Sequence, residues 1–201
     1  MGVTVPADAE RRLRAGELAI LPTDTVYGLA AAAYLRGACT TLYELKERPA
    51  DQPTAVVLGS VDNLLENVLP ELMGRQGVIA GKVFPGPITL VVRNPGRRFA
   101  YLCGSTPERI GIRVPDLAPA VARLADGVGG LLMTSANRRG EPAPARLEDV
   151  PQELRDAAAF AVDAGDLPGT PSAVIDVTGA GPRVLRDGPG LDDALARLAG
   201  G

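Results

Sequence analysis

Short apolar runs bounded by proline or glycine alternate with amphipathic segments along the chain. Runs such as residues 18–21, which end at Pro22, predict buried strands, and apolar spacings of three or four residues, as in 39–47, predict helices. The predicted helices are 6–15, 39–47, 63–69, 72–83, 117–125, 150–158 and 191–198. The predicted strands are 18–21, 54–58, 88–92, 110–114, 131–134, 160–163, 172–177 and 184–186.

The order of these elements is irregular, and several strands follow one another towards the C-terminus. This order predicts an α/β fold with a mixed sheet and flanking helices, because a regular βαβ winding would alternate the two element types. The sequence shows no internal repeat, and the Pro/Gly-rich stretch 140–145 is too short to link two domains. We therefore predict a single domain over residues 1–201.

Composition excludes several classes of function. The 201 residues are 46% hydrophobic and 22% charged, which is typical of a globular protein with its own core. The chain has no histidine, so Ser-His-Asp triads, Cys-His dyads and His-ligated zinc are excluded. Cys39 and Cys103 form no CxxC motif. With neither a signal-peptide pattern nor a long apolar segment visible, we expect a cytoplasmic protein. The net charge of −3 predicts no general attraction to nucleic acid.

Common nucleotide-binding loops are missing from the sequence. Residues 77–83 resemble a Walker A loop, but the segment is one residue short and lacks Ser or Thr after Lys82, so we predict a helix interior. Residues 135–137 (Ser-Ala-Asn) resemble the SDN element of penicillin-recognising enzymes, without the SxxK and KTG motifs that accompany it. No carboxylate cluster has the spacing of metal ligands.

Two polar segments follow predicted elements and offer anion-binding chemistry. Residues 22–29 (PTDTVYGL) come after a strand, and an extended backbone would send Thr23 and Thr25 to one side and Asp24 to the other. An ordinary β-turn is the alternative. Lys46 and Arg48 end a helix, and an extended exit would project both cations together as an anion clamp. Cations at that position also complement a helix dipole.

Two further segments place polar side chains on predicted strands. Residues 134–137 (Thr-Ser-Ala-Asn) end a strand, where open α/β sheets commonly bind ligands, and their hydroxyl and amide groups suit a phosphate or a base. Arg113 lies in the middle of an apolar strand. A buried arginine needs an anionic partner, so this residue predicts a carboxylate nearby, from the protein or from a ligand.

Together these segments resemble the YrdC/Sua5 family, and the similarity extends from residue 21 to 190. The matching motifs are PTDTVYGL, Lys46-Glu47-Arg48 as KxR, FPGPITLVV (84–92), GIRVPD, TSAN followed by GEPAP, PGTPSAVIDVT (168–178) and LRDG (185–188). The resemblance implies an open, twisted α/β sheet around a deep positive cavity. It also implies an L-threonylcarbamoyladenylate synthase, a nucleotidyltransferase that condenses L-threonine, bicarbonate and ATP and releases pyrophosphate. The product would serve the t6A37 modification of tRNA through a separate transferase complex.

The same resemblance assigns roles to individual residues. Lys46 and Arg48 are the catalytic candidates. The residues expected to bind ATP are Lys46, Arg48, Gln52, Ser135, Asn137 and Arg186. The residues expected to form the L-threonine pocket are Thr23, Thr25, Tyr27, Arg113 and Ser172, with Arg113 pairing the substrate carboxylate. Mg²⁺ is expected to arrive with ATP and to take no ligand from protein side chains.

Some positions depart from the family pattern, and other functions stay open. The departures are Thr54, Leu117, Arg138-Arg139 and Ala173, of which Ala173 puts amino-acid selectivity in doubt. One alternative is a paralogue of the same fold that binds RNA or a nucleotide without making the adenylate. Another is a carbamoyltransferase-type domain that acts on carbamoyl phosphate. A structural or regulatory protein is a third, and weak RNA binding is compatible with the synthase as well.

Overall fold

The computed structural model describes residues 2–72 and 74–199. Helices α1 to α7 comprise Ala9–Arg14, Arg36–Leu45, Val61–Asn63, Arg75–Val83, Pro119–Val128, Gln152–Ala157 and Leu191–Ala199. Strands β1 to β9 comprise Leu18–Pro22, Tyr27–Ala32, Val56–Val57, Ile88–Arg93, Arg109–Arg113, Leu131–Ser135, Ala158–Ala161, Ala173–Asp176 and Arg183–Arg186. A π-helical turn, Leu64–Val68, continues α3, and short 3-10 turns occur at Ala100–Leu102 and Leu147–Asp149.

The nine strands form one sheet in the order β7-β1-β2-β6-β3-β5-β4-β8-β9. The pairs β1–β7, β3–β5 and β4–β8 are parallel, and the other five neighbouring pairs are antiparallel. The predicted α/β fold with a mixed sheet is therefore confirmed. That residues 1–201 make up one domain stays a prediction.

Helices cover the two faces of the sheet unequally. Because side chains alternate along a strand, Ile20 of β1 packs on one face, and Ala19 and Leu21 pack on the other. The first face is covered by α2, α4, α6 and α7. The second face is covered by α1 and α5, whose apolar cluster reaches β1, β2, β3, β6 and β7. Among the described residues, β4, β5, β8 and β9 contribute no side chain to that second cluster, so this half of the face stays open.

Strand β2 is the main element that the sequence does not predict. Its core is Leu29 followed by alanines, which have little strand propensity and show no alternation. Hydrogen bonding to β1 on one side and β6 on the other makes it a central strand, and all six of its residues are buried. Tertiary pairing thus overrides the local preference.

Other elements differ from the predictions in their bounds. The predicted strand 54–58 is reduced to β3, and the predicted helix 63–69 is the short α3 with its π-helical turn. The predicted helix 72–83 begins at Arg75 as α4, and its residue 73 lies outside the described residues. The Walker-like segment 77–83 lies inside α4, as predicted. In residues 2–72 and 74–199, no helix has the length and apolar character required to cross a membrane.

Candidate functional site

A cavity of about 450 Å³ lies on the open half of the sheet. Alternate residues of the strands point into it, because the pleat sends every second side chain to the same face. The alternating strand residues that line it are Val57, Thr89, Val91, Arg109, Gly111, Arg113, Val174, Asp176, Arg183 and Leu185, and Gly28, Met133, Thr134, Ser135 and Arg186 complete its strand lining. This face of the sheet has few large apolar side chains, as expected for a surface that lines a cavity and does not pack against a helix.

Positive charge dominates this cavity and its neighbour. The charged side chains lining the first cavity are five arginines and one aspartate: Arg48, Arg109, Arg113, Arg183, Arg186 and Asp176. A second cavity of about 170 Å³ shares Arg48, Thr134 and Ser135 with the first. Its other lining residues are Lys46, Gln52, Asn137, Arg138, Arg139 and Gly140. The two cavities therefore adjoin at Arg48, and cations line both.

Arg113 has the carboxylate partner that its position in an apolar strand predicts. Its Nη2 donates to Asp24 Oδ1 and, at 2.8 Å, to the hydroxyl of Thr25. The side chains of Arg113 and Asp24 are only 10% and 12% exposed. Burial lowers the pKa of Arg113, and the Asp24 carboxylate opposes this effect. Arg113 Nε is buried without a partner in the described residues, and the residue lines the larger cavity.

The turn that carries Asp24 is not extended. Thr23 donates from its backbone N–H to Val26 O and from its hydroxyl to the same oxygen, which closes a turn. The hydroxyls of Thr23 and Thr25 lie 2.9 Å apart, as expected for one side of the segment. Asp24 nevertheless contacts the same Arg113 nitrogen as Thr25, so the prediction that it points to the opposite side is wrong.

Lys46 is the most buried cation of the smaller cavity, with 8% of its surface exposed. Its Nζ donates to Ser135 O at 2.9 Å and to Asn137 Oδ1 at 3.3 Å, and Ser135 Oγ also donates to that amide oxygen. Burial, assisted by the nearby Arg48 charge, lowers the pKa of Lys46 to about 8. The ammonium is thus held between strand β6 and the turn that follows it.

Arg48 lies between the two cavities, but the helix exit differs from the predicted one. Glu47 has a φ of 47°, so α2 ends in a left-handed residue and not in extended backbone. Arg48 still reaches the site: Nη2 donates to Pro53 O at 2.8 Å, and the guanidinium carbon lies 5.6 Å from the centre of the Tyr43 ring. Burial lowers the pKa of Arg48, whose Nε has no partner in the described part of the chain.

At the opposite side of the larger cavity, Arg186 and Ser172 contact each other. Arg186 donates to Ser172 O at 3.0 Å and to Ser172 Oγ at 3.2 Å. That hydroxyl also lies 2.9 Å from the hydroxyl of Thr89, which is buried on β4. Burial lowers the pKa of Arg186, and so does the positive charge of Arg48. Arg186 therefore lies close enough to Arg48 for the two charges to interact.

The structure brings together nine of the eleven site residues that the sequence predicts. These nine line one or both cavities: Thr23, Lys46, Arg48, Gln52, Arg113, Ser135, Asn137, Ser172 and Arg186. Thr25 is fully buried behind them and supports Arg113. Tyr27 does not belong to the cavity wall. Its hydroxyl binds Asp163 Oδ1 at 2.9 Å and Gly165 O at 2.8 Å instead, which corrects its placement in a threonine pocket.

Four polar cavity residues that lie on strands were not singled out by the sequence analysis. They are Thr89, Arg109, Asp176 and Arg183. Asp176 accepts from Arg109 at 3.1 Å and from Arg183 at 3.3 Å, which joins three strands across the cavity floor. The available signal was the one that identified Arg113, namely a polar side chain inside an apolar strand. Thr89 and Asp176 both have that signal.

Comparison with known proteins agrees with this geometry. The Sua5/YciO/YrdC family model, described as "Telomere recombination", matches residues 11–188. The chain belongs to this family. A Mycobacterium tuberculosis protein provisionally named threonylcarbamoyl-AMP synthase is 33% identical over 190 residues, covering 94% of this chain and 86% of that one. The threonylcarbamoyl-AMP synthase of Rattus norvegicus is 33% identical over 205 residues, covering 96% and 70%.

A solved structure of the family has the same architecture. The crystal structure of Pyrococcus abyssi Sua5 complexed with L-threonine superimposes with a TM-score of 0.82 at 28% identity. The match covers 94% of this chain, which spans 57% of the length of the P. abyssi chain.

Proposed function

We propose that this protein is a threonylcarbamoyl-AMP synthase, which condenses L-threonine, bicarbonate and ATP to threonylcarbamoyl-AMP and pyrophosphate. Family membership and the names of the relatives support the activity. The observation that carries the proposal is the pair of adjoining cavities. A larger one carries a carboxylate-binding arginine and hydroxyls, and a smaller one is lined with cations.

The two cavities match the two halves of the reaction. The larger cavity accommodates the amino acid and the nucleoside, with the Arg113 guanidinium as the partner of the threonine carboxylate. The smaller cavity accommodates the phosphates of ATP, between Lys46, Arg48 and the Ser135–Asn137 turn. Arg48 and Ser135 line both spaces, so the α-phosphorus would lie at the junction where the bond is made.

The proposed chemistry uses no protein nucleophile. The threonine amine adds to CO₂ derived from bicarbonate and loses a proton, which gives a carbamate. A carbamate oxygen then attacks the α-phosphorus of ATP, the bond from that phosphorus to the β-bridging oxygen breaks, and pyrophosphate leaves with the electron pair. Lys46 and Arg48 stabilise the charge that develops on the phosphates. A chain without histidine can supply such positioning and electrostatics in full.

Magnesium enters the proposal as part of the ATP complex. The described residues contain no group of three or more Cys, Asp or Glu side chains positioned to hold a metal ion. Cations line the smaller cavity instead, and they suit a phosphate-bound Mg²⁺ better than a protein-bound one. When bound, the ion neutralises phosphate charge, and Lys46 and Arg48 hold the remaining oxygens.

The product places the enzyme upstream of a group transfer. Threonylcarbamoyl-AMP is a mixed anhydride and therefore an activated donor of the threonylcarbamoyl group. We propose that a separate transferase complex passes this group to tRNA as the t6A37 modification. Direct RNA binding by the present chain is not required for that sequence.

Pyrophosphate release from Mg·ATP tests the proposal. We expect release only when L-threonine and bicarbonate are both present. We also expect Lys46→Ala and Arg48→Ala each to lower kcat by about 100-fold or more, because each removes a donor aimed at the developing charge. Lys82→Ala is the matched control, since Lys82 lies on α4 outside both cavities.

Other outcomes select the competing functions. Release that ignores threonine, or full turnover by both cavity variants, contradicts the synthase. Activity with carbamoyl phosphate in place of threonine and bicarbonate indicates a carbamoyltransferase-type domain. Binding of RNA or ATP without release of pyrophosphate indicates the paralogue.

A further inference from the structure

Two adjacent arginines follow the Ser135–Asn137 turn and line the smaller cavity, yet their surroundings differ. Arg138 is neutralised: its Nε and Nη2 donate to the two carboxylate oxygens of Glu153 at 2.6 and 2.7 Å, and Glu141 lies 3.7 Å from Nη1. Arg139 is exposed, and its guanidinium has neither a hydrogen bond nor an ion pair within residues 2–72 and 74–199.

The smaller cavity therefore contains uncompensated positive charge. Its charged lining consists of four cations, Lys46, Arg48, Arg138 and Arg139, and no carboxylate from the described residues lines it. Lys46 donates only to neutral oxygens, and so does Arg48. The charge of Arg139 is close enough to lower the pKa of Arg48. Glu141 contacts Arg138 and acts on Lys46 from outside the lining, but its effect on the pKa of Lys46 is smaller than that of Arg48. The cations therefore still repel each other, and an anionic ligand relieves that repulsion.

We propose that Arg139 binds the terminal phosphates of ATP and stabilises the pyrophosphate that leaves, an assignment that rests on the proposed function. Its five N–H donors are free, and a guanidinium pairs with phosphate oxygens in a bidentate geometry. Lys46 and Arg48 hold the phosphates from inside the cavity, and Arg139 contacts them from the rim. Negative charge grows on the β-phosphate as the bond to the α-phosphorus breaks, so the contact strengthens along the reaction.

Arg138 provides a matched control, because it carries the same charge at the next position. We expect Arg139→Gln in the full chain to weaken binding of inorganic tripolyphosphate about tenfold, measured by calorimetry at one fixed salt concentration. The same variant should lower kcat/KM for ATP by a similar factor. Arg138→Gln should change both quantities by less than about twofold, because Glu153 already neutralises that side chain. Arg139→Lys should restore only part of the loss, because lysine keeps the charge but cannot pair with two phosphate oxygens at once.

Several results would overturn the assignment. Unchanged tripolyphosphate affinity in Arg139→Gln removes the contact, and equal losses in both variants show a general surface charge effect instead. Tripolyphosphate binding needs neither threonine nor bicarbonate, so this measurement tests the Arg139 contact independently of the proposed synthase activity. If Arg139→Gln loses the anion while the wild-type protein makes no adenylate, the synthase assignment fails and the phosphate contact stands.

Discussion

Replacing Lys46 with methionine should abolish catalysis and make the protein more stable. The ammonium is buried among neutral oxygens, and methionine keeps the aliphatic stem without the charge. Burial holds the pKa of Lys46 at about 8, against 10.5 for an ordinary lysine. Burying this cation destabilises the ligand-free protein, and we attribute its presence to ligand binding. Removing the charge should therefore increase the stability of the ligand-free protein.

The magnitude follows from the displaced pKa. A pKa of about 8 in place of 10.5 sets an upper limit of about 3 kcal/mol on the penalty for the charged form, and solvent screening lowers this figure to about 2 kcal/mol because Lys46 lines a cavity. Loss of the bond to Ser135 O returns about 1 kcal/mol of that, because a buried carbonyl loses a donor. We therefore expect Lys46→Met to raise the free energy of unfolding by about 1 kcal/mol, and Tm by roughly 3 °C for a chain of this size.

The effect should depend on pH in a definite direction. The pKa of Lys46 is lower in the folded than in the unfolded state, so the folded protein binds fewer protons between about pH 8 and 10.5. The penalty is complete below about pH 8 and disappears as the pH rises towards 10.5. The stability advantage of Lys46→Met should shrink over the same interval. Turnover of the wild-type protein should decline as Lys46 loses its proton.

The chain makes this pKa directly measurable, because Lys46 and Lys82 are its only lysines. Protein labelled with ¹³Cε-lysine should give two ε-methylene signals, which Lys82→Met assigns. We expect the Lys46 signal to titrate near pH 8 and to move to higher pH when Mg·ATP binds, because phosphate favours the charged form. Mg·ATP should raise the Tm of the wild-type protein and leave Lys46→Met almost unchanged. A Lys46 signal that titrates above pH 10, or a Lys46→Met protein less stable than wild type, would refute this reasoning.

Two substitutions and one labelling experiment test other parts of the structure. Asp24→Asn removes the carboxylate partner of Arg113, so urea denaturation should show a loss of roughly 2 kcal/mol, and kinetics should show KM for threonine rising more than kcat falls. Gly59→Ala would place a Cβ 2.0 Å from Ala122 O, so the free energy of unfolding should fall by about 2 kcal/mol or more while kcat per folded molecule stays unchanged. Burial raises the pKa of Cys39 to about 12, so iodoacetamide at pH 8 should label this thiol, by mass spectrometry, only in urea.

The sequence was sufficient to identify the residues that meet in the smaller cavity. Lys46 is 89 residues from Ser135, yet the chemistry of each segment marked it as an anion site, and the structure joins them through a hydrogen bond. These residues can be recognised from the local sequence because a ligand-binding turn exposes polar groups at the end of a strand, and this pattern does not depend on the order of the strands in the sheet. The family resemblance added the roles, which the local patterns leave open.

The rest of the site depends on long-range packing that local patterns do not contain. Arg109 and Arg183 meet at Asp176 because β5 and β9 lie on either side of the β4–β8 pair, an order that chain position does not reveal. Likewise, the open half of the sheet exists because α1 and α5 stop at β3. Tyr27 was misplaced for a similar reason: its hydroxyl is satisfied by the 163–165 turn, 136 residues away in the chain.

The distribution of charge in the cavity separates two kinds of ligand. The chain as a whole carries a net charge of −3, so the cations that line the site are a local feature and not a consequence of composition. At one end, Arg113 pairs with Asp24, and Arg109 and Arg183 share the carboxylate of Asp176. At the other end, Lys46 and Arg48 have no carboxylate partner in the described residues. A site that holds carboxylates among its cations suits an amino acid zwitterion, and a site lined by cations without a carboxylate suits a polyphosphate. High salt should therefore weaken ATP binding more than threonine binding, because ATP carries several negative charges and the threonine zwitterion carries no net charge.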